Sequence, residues 1–136
     1  VERTASAKYG AYIANSVANC VGCHTERDLK TGAFTGAPFA GGFTMEHDVF
    51  SQGYSFVTPN LTPDKETGLM AEWNEQTFIN RFKNGRIHVG SHMPWESFAK
   101  MDTLELKALY AYLTSLPPVR NQISKIVYAP GEKLPE

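Results

Sequence analysis

Five consecutive residues constrain this chain more than any others: Cys20-Val21-Gly22-Cys23-His24. Two thiols three positions apart, with an imidazole directly after them, match the attachment signature of c-type haem. The reason is geometric. The two sulfurs can form thioethers to the two vinyl groups of one porphyrin, while the adjacent imidazole reaches the iron from the same side. On this reading Cys20 and Cys23 hold the ring and His24 is the proximal ligand. The pentapeptide alone leaves other readings open. A disulfide between Cys20 and Cys23 would close a short, strained loop. A thioredoxin-like redox pair needs a βαβ context, and none is suggested nearby. A zinc site usually needs four ligands, and a chain with 2 cysteines has no second pair to supply them. Chance is the fourth.

The whole chain is short, at 136 residues, and reads as one domain over 1–136, with a core over 5–118 and an extended tail over 119–136. A chain of this size hides about two-thirds of its unfolded surface in a single core. The formal net charge is −1 and the pI about 6.5, so no surface for a polyanion is implied and nucleic acid is excluded as a partner. No run of eighteen apolar residues suggests a transmembrane helix. The opening Val1-Glu2-Arg3-Thr4 is polar and does not read as a signal peptide.

Helical periodicity places the first helix over 5–19, where Tyr9, Tyr12, Ile13 and Val17 share a face and deliver Cys20 at its end. Gly10 inside it lowers helix propensity and is suited to a close approach by another helix. From 25 to 62 neither period is sustained, and glycines and prolines punctuate the run. A bare loop of that length fits a chain that wraps something large and apolar. Phe34, Phe39, Phe43, Phe50, Tyr54 and Phe56 are candidates for contacts with such a group or for the loop's own packing. Short extended pieces are expected at 42–44 and 55–58. The turn-rich run 58–68 carries Asp64, Lys65 and Glu66, read as a solvated face rather than a calcium loop. A second helix is expected over 74–84, with Asn74 as N-cap, Phe78, Ile79 and Phe82 as its buried stripe, and Gly85 as its stop. Arg81, Lys83 and Arg86 at its end suit the helix dipole and solvent, and one of them is an alternative partner for a haem propionate. The third helix starts with an Asp102–Glu105 capping box, repeats Leu106, Leu109, Tyr110, Leu113 and Leu116, and stops at Pro117-Pro118.

A haem iron that shuttles electrons takes a sixth ligand, and a thioether favours its reduced state. The chain has 4 methionines, Met45, Met70, Met93 and Met101. Met93 stands out in Gly90-Ser91-His92-Met93-Pro94-Trp95, a turn between two helices in which proline stiffens the following backbone. Imidazoles compete, from His47, His88 and above all His92 beside Met93.

Four stretches then carry a resemblance: Phe39-Ala40-Gly41-Gly42, the run Thr58-Pro59-Asn60-Leu61-Thr62-Pro63-Asp64-Lys65-Glu66-Thr67-Gly68, Met93-Pro94-Trp95, and Leu109-Tyr110-Ala111-Tyr112-Leu113-Thr114-Ser115-Leu116-Pro117-Pro118. With the pentapeptide they resemble class I c-type cytochromes, in particular the cytochrome c domains of bacterial alcohol, aldehyde or gluconate dehydrogenase electron-acceptor subunits. The resemblance implies a mostly α, single-domain fold with helices around one covalently bound haem c and long irregular loops. Its first and last helices would cross near Gly10. It implies ligation by His24 and Met93, and a bond from the His24 ring to the carbonyl of Pro38. Asn60, Trp73 and Trp95 are implied as haem-packing or propionate contacts. Two departures stand out: many relatives carry several such domains in one chain, and the residue before the distal methionine is often apolar or proline, where here it is His92.

The function so implied is one-electron transfer in the periplasm, between a dehydrogenase or other redox partner and a terminal oxidase or reductase. Covalent haem attachment generally takes place outside the bacterial cytoplasm. The chain is then an electron carrier without catalytic residues, with its oligomeric state open. Two alternatives stand beside it: a haem domain of a larger dehydrogenase complex, and a ligand-binding or sensor protein with a labile sixth ligand.

Overall fold

The computed structural model describes residues 1–135, so Glu136 of the expected tail lies outside the described residues. The first expected helix is present in two pieces. Helix α1 spans Ala7–Tyr12, capped by Ser6, whose hydroxyl accepts the Tyr9 N–H at 3.3 Å. It widens into a π-type turn over Ile13–Val17, closed by the Ala18 N–H on the Ile13 carbonyl at 2.9 Å. Asn19, at φ +50°, then turns the chain in the left-handed region that Asn tolerates. That break starts a new single turn, α2 at Cys20–Cys23, so the two thiols sit on their own turn rather than at the end of a long helix.

Residues 25–62 are irregular, as expected, apart from two short strands. These are β1 at Thr44–Met45 and β2 at Ser55–Val57. Helix α3 spans Glu75–Lys83, with the Asn74 side chain accepting the Thr77 N–H at 2.9 Å, and α4 is the turn Trp95–Phe98. Helix α5, Thr103–Ser115, carries the expected capping box: Asp102 accepts the Glu105 N–H at 2.9 Å, and Glu105 accepts the Asp102 N–H at 3.1 Å. Helices α3 and α5 are where the caps and periodicity put them, but α2 and α4 are not among the expected helices and most described residues lie outside helix, so the chain is not mostly α.

The tail, expected as an extended surface segment, instead contributes β3, Val127–Tyr128, and completes an antiparallel sheet of order β1-β2-β3. Thr44 pairs with Val57, and Ser55 with Tyr128. The tail is also tied to Asn60, which is 1% exposed. Asn60 Nδ2 donates to the Val119 carbonyl at 2.8 Å, to the Asn121 carbonyl at 3.3 Å and to Thr67 Oγ1 at 3.1 Å. Its Oδ1 accepts from the Thr62 N–H at 3.0 Å and the Thr62 hydroxyl at 2.7 Å. Burying an amide demands such partners, and this one staples the 58–68 run to the tail. Asp64, read as part of a solvated face, closes that run by accepting from Thr67 N–H and Oγ1 at 2.8 and 2.6 Å, which holds its carboxyl below the usual range.

The core lies where α1 crosses α5. Tyr9, Ile13 and Ala14 pack with Leu106, Ala108, Leu109 and Leu113, and Phe39, Phe78, Phe82 and Trp95 extend the same cluster. Gly10 is at the crossing, as the resemblance implied: a Cβ there would stand 2.0 Å from the Ala108 carbonyl oxygen.

Candidate haem site

Beside this core lies an apolar cavity walled by the thiol-bearing turn, β1, β2, α3, α4 and α5. Cys20, Cys23 and His24 line one part of it, and Phe56, Val57 and Ile126 bring in the sheet and the tail. Phe78 and Phe82 of α3 and Leu109 and Leu113 of α5 supply helical wall, while Met70, Trp73, Met93 and Trp95 come from the connecting turns and α4. Of the expected site residues, Cys20, Cys23, His24, Met93, Trp73 and Trp95 therefore meet at one cavity.

Both cysteines are free thiols. Burial pushes Cys20 up to about 11, with the neighbouring Cys23 adding to the rise, so at neutral pH it presents an uncharged sulfur to an apolar space. Among the described residues no three His, Cys, Asp or Glu side chains gather as metal ligands. His24 Nδ1–H donates to the Pro59 carbonyl at 3.2 Å. Burial pulls the imidazole below its usual value, against the smaller opposing effect of that carbonyl. A neutral ring with its proton on Nδ1 leaves the lone pair on Nε2, the nitrogen a metal would take.

The implied acceptor for His24, Pro38, is not the one the fold supplies. Pro38 is exposed and lines no part of the cavity, and the reason is the path of 39–42. Gly41 N–H donates to the His24 carbonyl at 2.8 Å and Gly42 N–H to the Thr58 carbonyl at 2.8 Å, which lays this segment between the His24 backbone and residues 58–60. Gly41, at φ +71°, lets the chains touch, since a Cβ would sit 2.4 Å from the Pro59 carbonyl. Pro59, not Pro38, is thereby pressed towards the ring. A backbone carbonyl has no side-chain signature, so no motif distinguishes the two prolines. Asn60 is the second correction: it is committed to Thr62, Thr67 and the tail, and does not line the cavity. Of the loop aromatics only Phe56 faces the cavity; Phe39 and Phe43 are buried elsewhere, and Phe34 and Phe50 are exposed.

Met93 sits in a turn held by Arg86. Its guanidinium donates to the Ser91 carbonyl at 2.7 Å and to the Met93 carbonyl at 3.2 Å, and grips both Glu96 carboxylate oxygens at 2.8 Å. That pairing holds the Glu96 carboxyl down at about 2. Met45, Met70, His88 and His92 also line the cavity, whereas Met101 packs on the core. Arg81 is the cation in the wall. Its guanidinium lies 3.6 Å over the Trp95 ring and donates to the Gly85 carbonyl at 2.7 Å, with no carboxylate partner among the described residues. Burial lowers its pKa, the mark of a partly desolvated cation, and that lack of a carboxylate partner is what suits it to an anion at the cavity.

Two thiols, an imidazole lone pair, thioethers, flat aromatic walls and a guanidinium without a carboxylate partner fit a covalently held haem with its carboxylates. These are the features of a c-type cytochrome. No protein-family model matches the chain. It is 34% identical over 108 residues, 76% of its length, to a subunit of the nicotinate dehydrogenase of Pseudomonas putida. It is 34% identical over 109 residues, 77% of its length, to the gluconate 2-dehydrogenase cytochrome c subunit of Pantoea cypripedii. To the cytochrome c subunit of the quinone alcohol dehydrogenase of Gluconobacter oxydans it is 30% identical over 109 residues, again 77% of its length. The chain spans only 8%, 22% and 20% of these proteins respectively. These relatives bear out the resemblance to the cytochrome c subunits of bacterial dehydrogenases.

Proposed function

We infer that this chain is a single electron-transfer domain with a class I cytochrome c fold, holding one haem c in the cavity. Cys20 and Cys23 would attach it, His24 and Met93 would ligate the iron, and Arg81 would meet a ring carboxylate. When bound, the haem supplies a reversible one-electron couple, whose potential depends on its axial ligands and its burial. The observation that carries the reading is that Cys20, Cys23, His24 and Met93 line one apolar cavity. The chain's own residues do the rest. Pro59 fixes the tautomer and rotation of His24, so the imidazole needs no reorientation between oxidation states. The Arg86–Glu96 pair fixes the backbone of the distal turn. The aromatic and aliphatic walls keep water from the site and the local dielectric low.

On this reading the protein works in the periplasm, passing electrons between a dehydrogenase or other redox partner and a terminal oxidase or reductase through brief, small encounters. Among the described residues no helix is long and apolar enough to cross a membrane. A second reading, a haem domain within a larger dehydrogenase complex, is favoured by the small share of each relative that the chain spans.

The test is haem staining of a denaturing gel after export to an oxidising compartment. The band is expected in the wild type and lost when both Cys20→Ala and Cys23→Ala are introduced. No stain in the wild type would overturn the proposal. Carbon monoxide added to the reduced protein should bind slowly and incompletely, whereas rapid, complete binding would favour a sensor with a labile sixth site.

A further inference from the structure

Two candidate distal ligands, His92 and Met93, are adjacent in sequence and both line the cavity. The structure contains a device that separates them. His92 Nε2 is held by Asp48 Oδ2 at 2.8 Å, and its ring stands edge-on to Phe56 with centroids 6.2 Å apart. Its other nitrogen, Nδ1, is buried among protein atoms with no partner of its own.

Asp48 is itself fixed. Its Oδ1 accepts the N–H groups of Phe50 and Ser51 at 2.8 and 3.0 Å, so it is the head of an Asx turn. Ser51, 0% exposed, returns a bond from its hydroxyl to the Asp48 carbonyl at 3.2 Å. The turn is seated against the distal loop, where a Cβ on Gly90 would lie 2.1 Å from the Ser51 carbonyl oxygen. The carboxylate therefore grips His92 from a rigid base. Nε2 is the imidazole nitrogen with the longer reach from the backbone, and coordination through it requires this bond to break.

We propose that Asp48 is a positioning residue that selects between the two adjacent distal candidates, tethering His92 so that Met93 rather than its neighbour meets the iron. This rests on the His24/Met93 reading and extends it to a residue 45 positions upstream of the ligand in the chain. Asp48 touches neither cofactor nor reacting atom; it acts through His92. The tether answers a problem created by having an imidazole, the stronger-binding group, directly beside the thioether.

The experiment uses haem-loaded protein and reads the axial ligands directly. The probes are the thioether-to-ferric-iron charge-transfer band and the ring-current-shifted methionine methyl resonance of the ferrous form. Asp48→Ala should lose part of both signals and gain a bis-imidazole electron paramagnetic resonance signature, with a downward shift of the reduction potential. Asp48→Ser, whose hydroxyl still closes the turn but falls short of His92, should do the same with the fold preserved. Asp48→Asn, whose amide oxygen still closes the turn while its amide N–H donates to the Nε2 lone pair of His92, should keep the wild-type signals. Adding His92→Ala to either disruptive variant should restore the pure methionine signature. Unchanged signals in both Asp48→Ala and Asp48→Ser would overturn the tether, as would failure of the double variants to recover. A bis-imidazole signature in the unmutated protein would instead overturn the Met93 reading itself.

Discussion

Replacing Gly10 with Ala sets two effects of opposite sign against each other. Helix propensity alone says the change stabilises, since glycine inside a helix costs about 1 kcal/mol relative to alanine. The crossing says otherwise. The new Cβ would stand 2.0 Å from the Ala108 carbonyl oxygen, 2.6 Å from its carbonyl carbon and 2.8 Å from Tyr112 Cβ. A carbon and a carbonyl oxygen rest at about 3.3 Å. The shortfall from the oxygen is over an ångström, and it is against backbone, which cannot rotate away as a side chain can. Helix α1 must back off from α5, loosening Tyr9 and Ile13 from Leu106 and Leu109. Overpacking of this kind costs about 3 kcal/mol at the upper end of the usual range. The net loss is then about 2 kcal/mol, which for a domain of this size lowers the melting temperature by roughly 6–10 °C. Equilibrium urea unfolding of the haem-loaded protein measures it, as a lower midpoint at unchanged slope. A variant as stable as the wild type, or more so, would refute the close crossing and leave propensity as the governing effect.

Asn60→Ala strands the Thr62 N–H and takes one of two donors from the Val119 carbonyl, and should cost about 3 kcal/mol in denaturant unfolding, since stranded buried groups cost more than the bonds themselves. The haem spectrum should stay unchanged, because Asn60 lies off the cavity; an altered spectrum would restore it to the site. Gly41→Ala combines a φ of +71° with a clash on the Pro59 carbonyl, and should lower stability by more than about 3 kcal/mol together with the yield of haem-loaded protein. Gly32→Ala, at φ +75° in open space, is its control and should cost only about 1 kcal/mol. Glu96 should titrate near pH 2 by carboxyl NMR and rise towards its ordinary value in Arg86→Ala, held slightly below it by its own backbone N–H. Its folded-state value is depressed, so the contact is fully present above 4.5 and is lost as pH falls towards 2.

What is legible in the sequence follows the range of the interactions. Helices α3 and α5 are written in local terms, an N-cap or capping box followed by an apolar repeat, and they stand where those signals put them. The π turn at Ile13–Val17 and the left-handed Asn19 are hidden, because the apolar spacing there reads equally well as one continuous helix. β3 is two residues long and pairs with a strand some seventy positions earlier, so no local pattern announces it. The same distance governs what can be read of the site. Cys20, Cys23 and His24 are a contiguous motif, and Met93 carries the mark of its proline. The acceptor for His24 is a carbonyl, chosen by how Gly41 packs on residues 58–60. A polar residue in a specific run, such as Asn60, suggests a ligand contact, whereas its amide is consumed by backbone from the far end of the chain. Asp48 and His92 lie 44 positions apart, and nothing in either neighbourhood hints at their pairing.

The late position of β3 has a consequence for how the protein is assembled. Ile126 lines the cavity, and its carbonyl accepts the Val57 N–H at 2.9 Å, while Asn121 donates to the Ala40 carbonyl at 2.9 Å. These latches belong to a part of the chain that is synthesised after the pentapeptide and the core helices. Until it arrives, the thiol-bearing turn and both helices of the core are already available, but one side of the chamber stands open. On the haem reading, the order of the chain would leave the pentapeptide accessible before the closing strand is in place, and that strand would shut the cavity behind the cofactor.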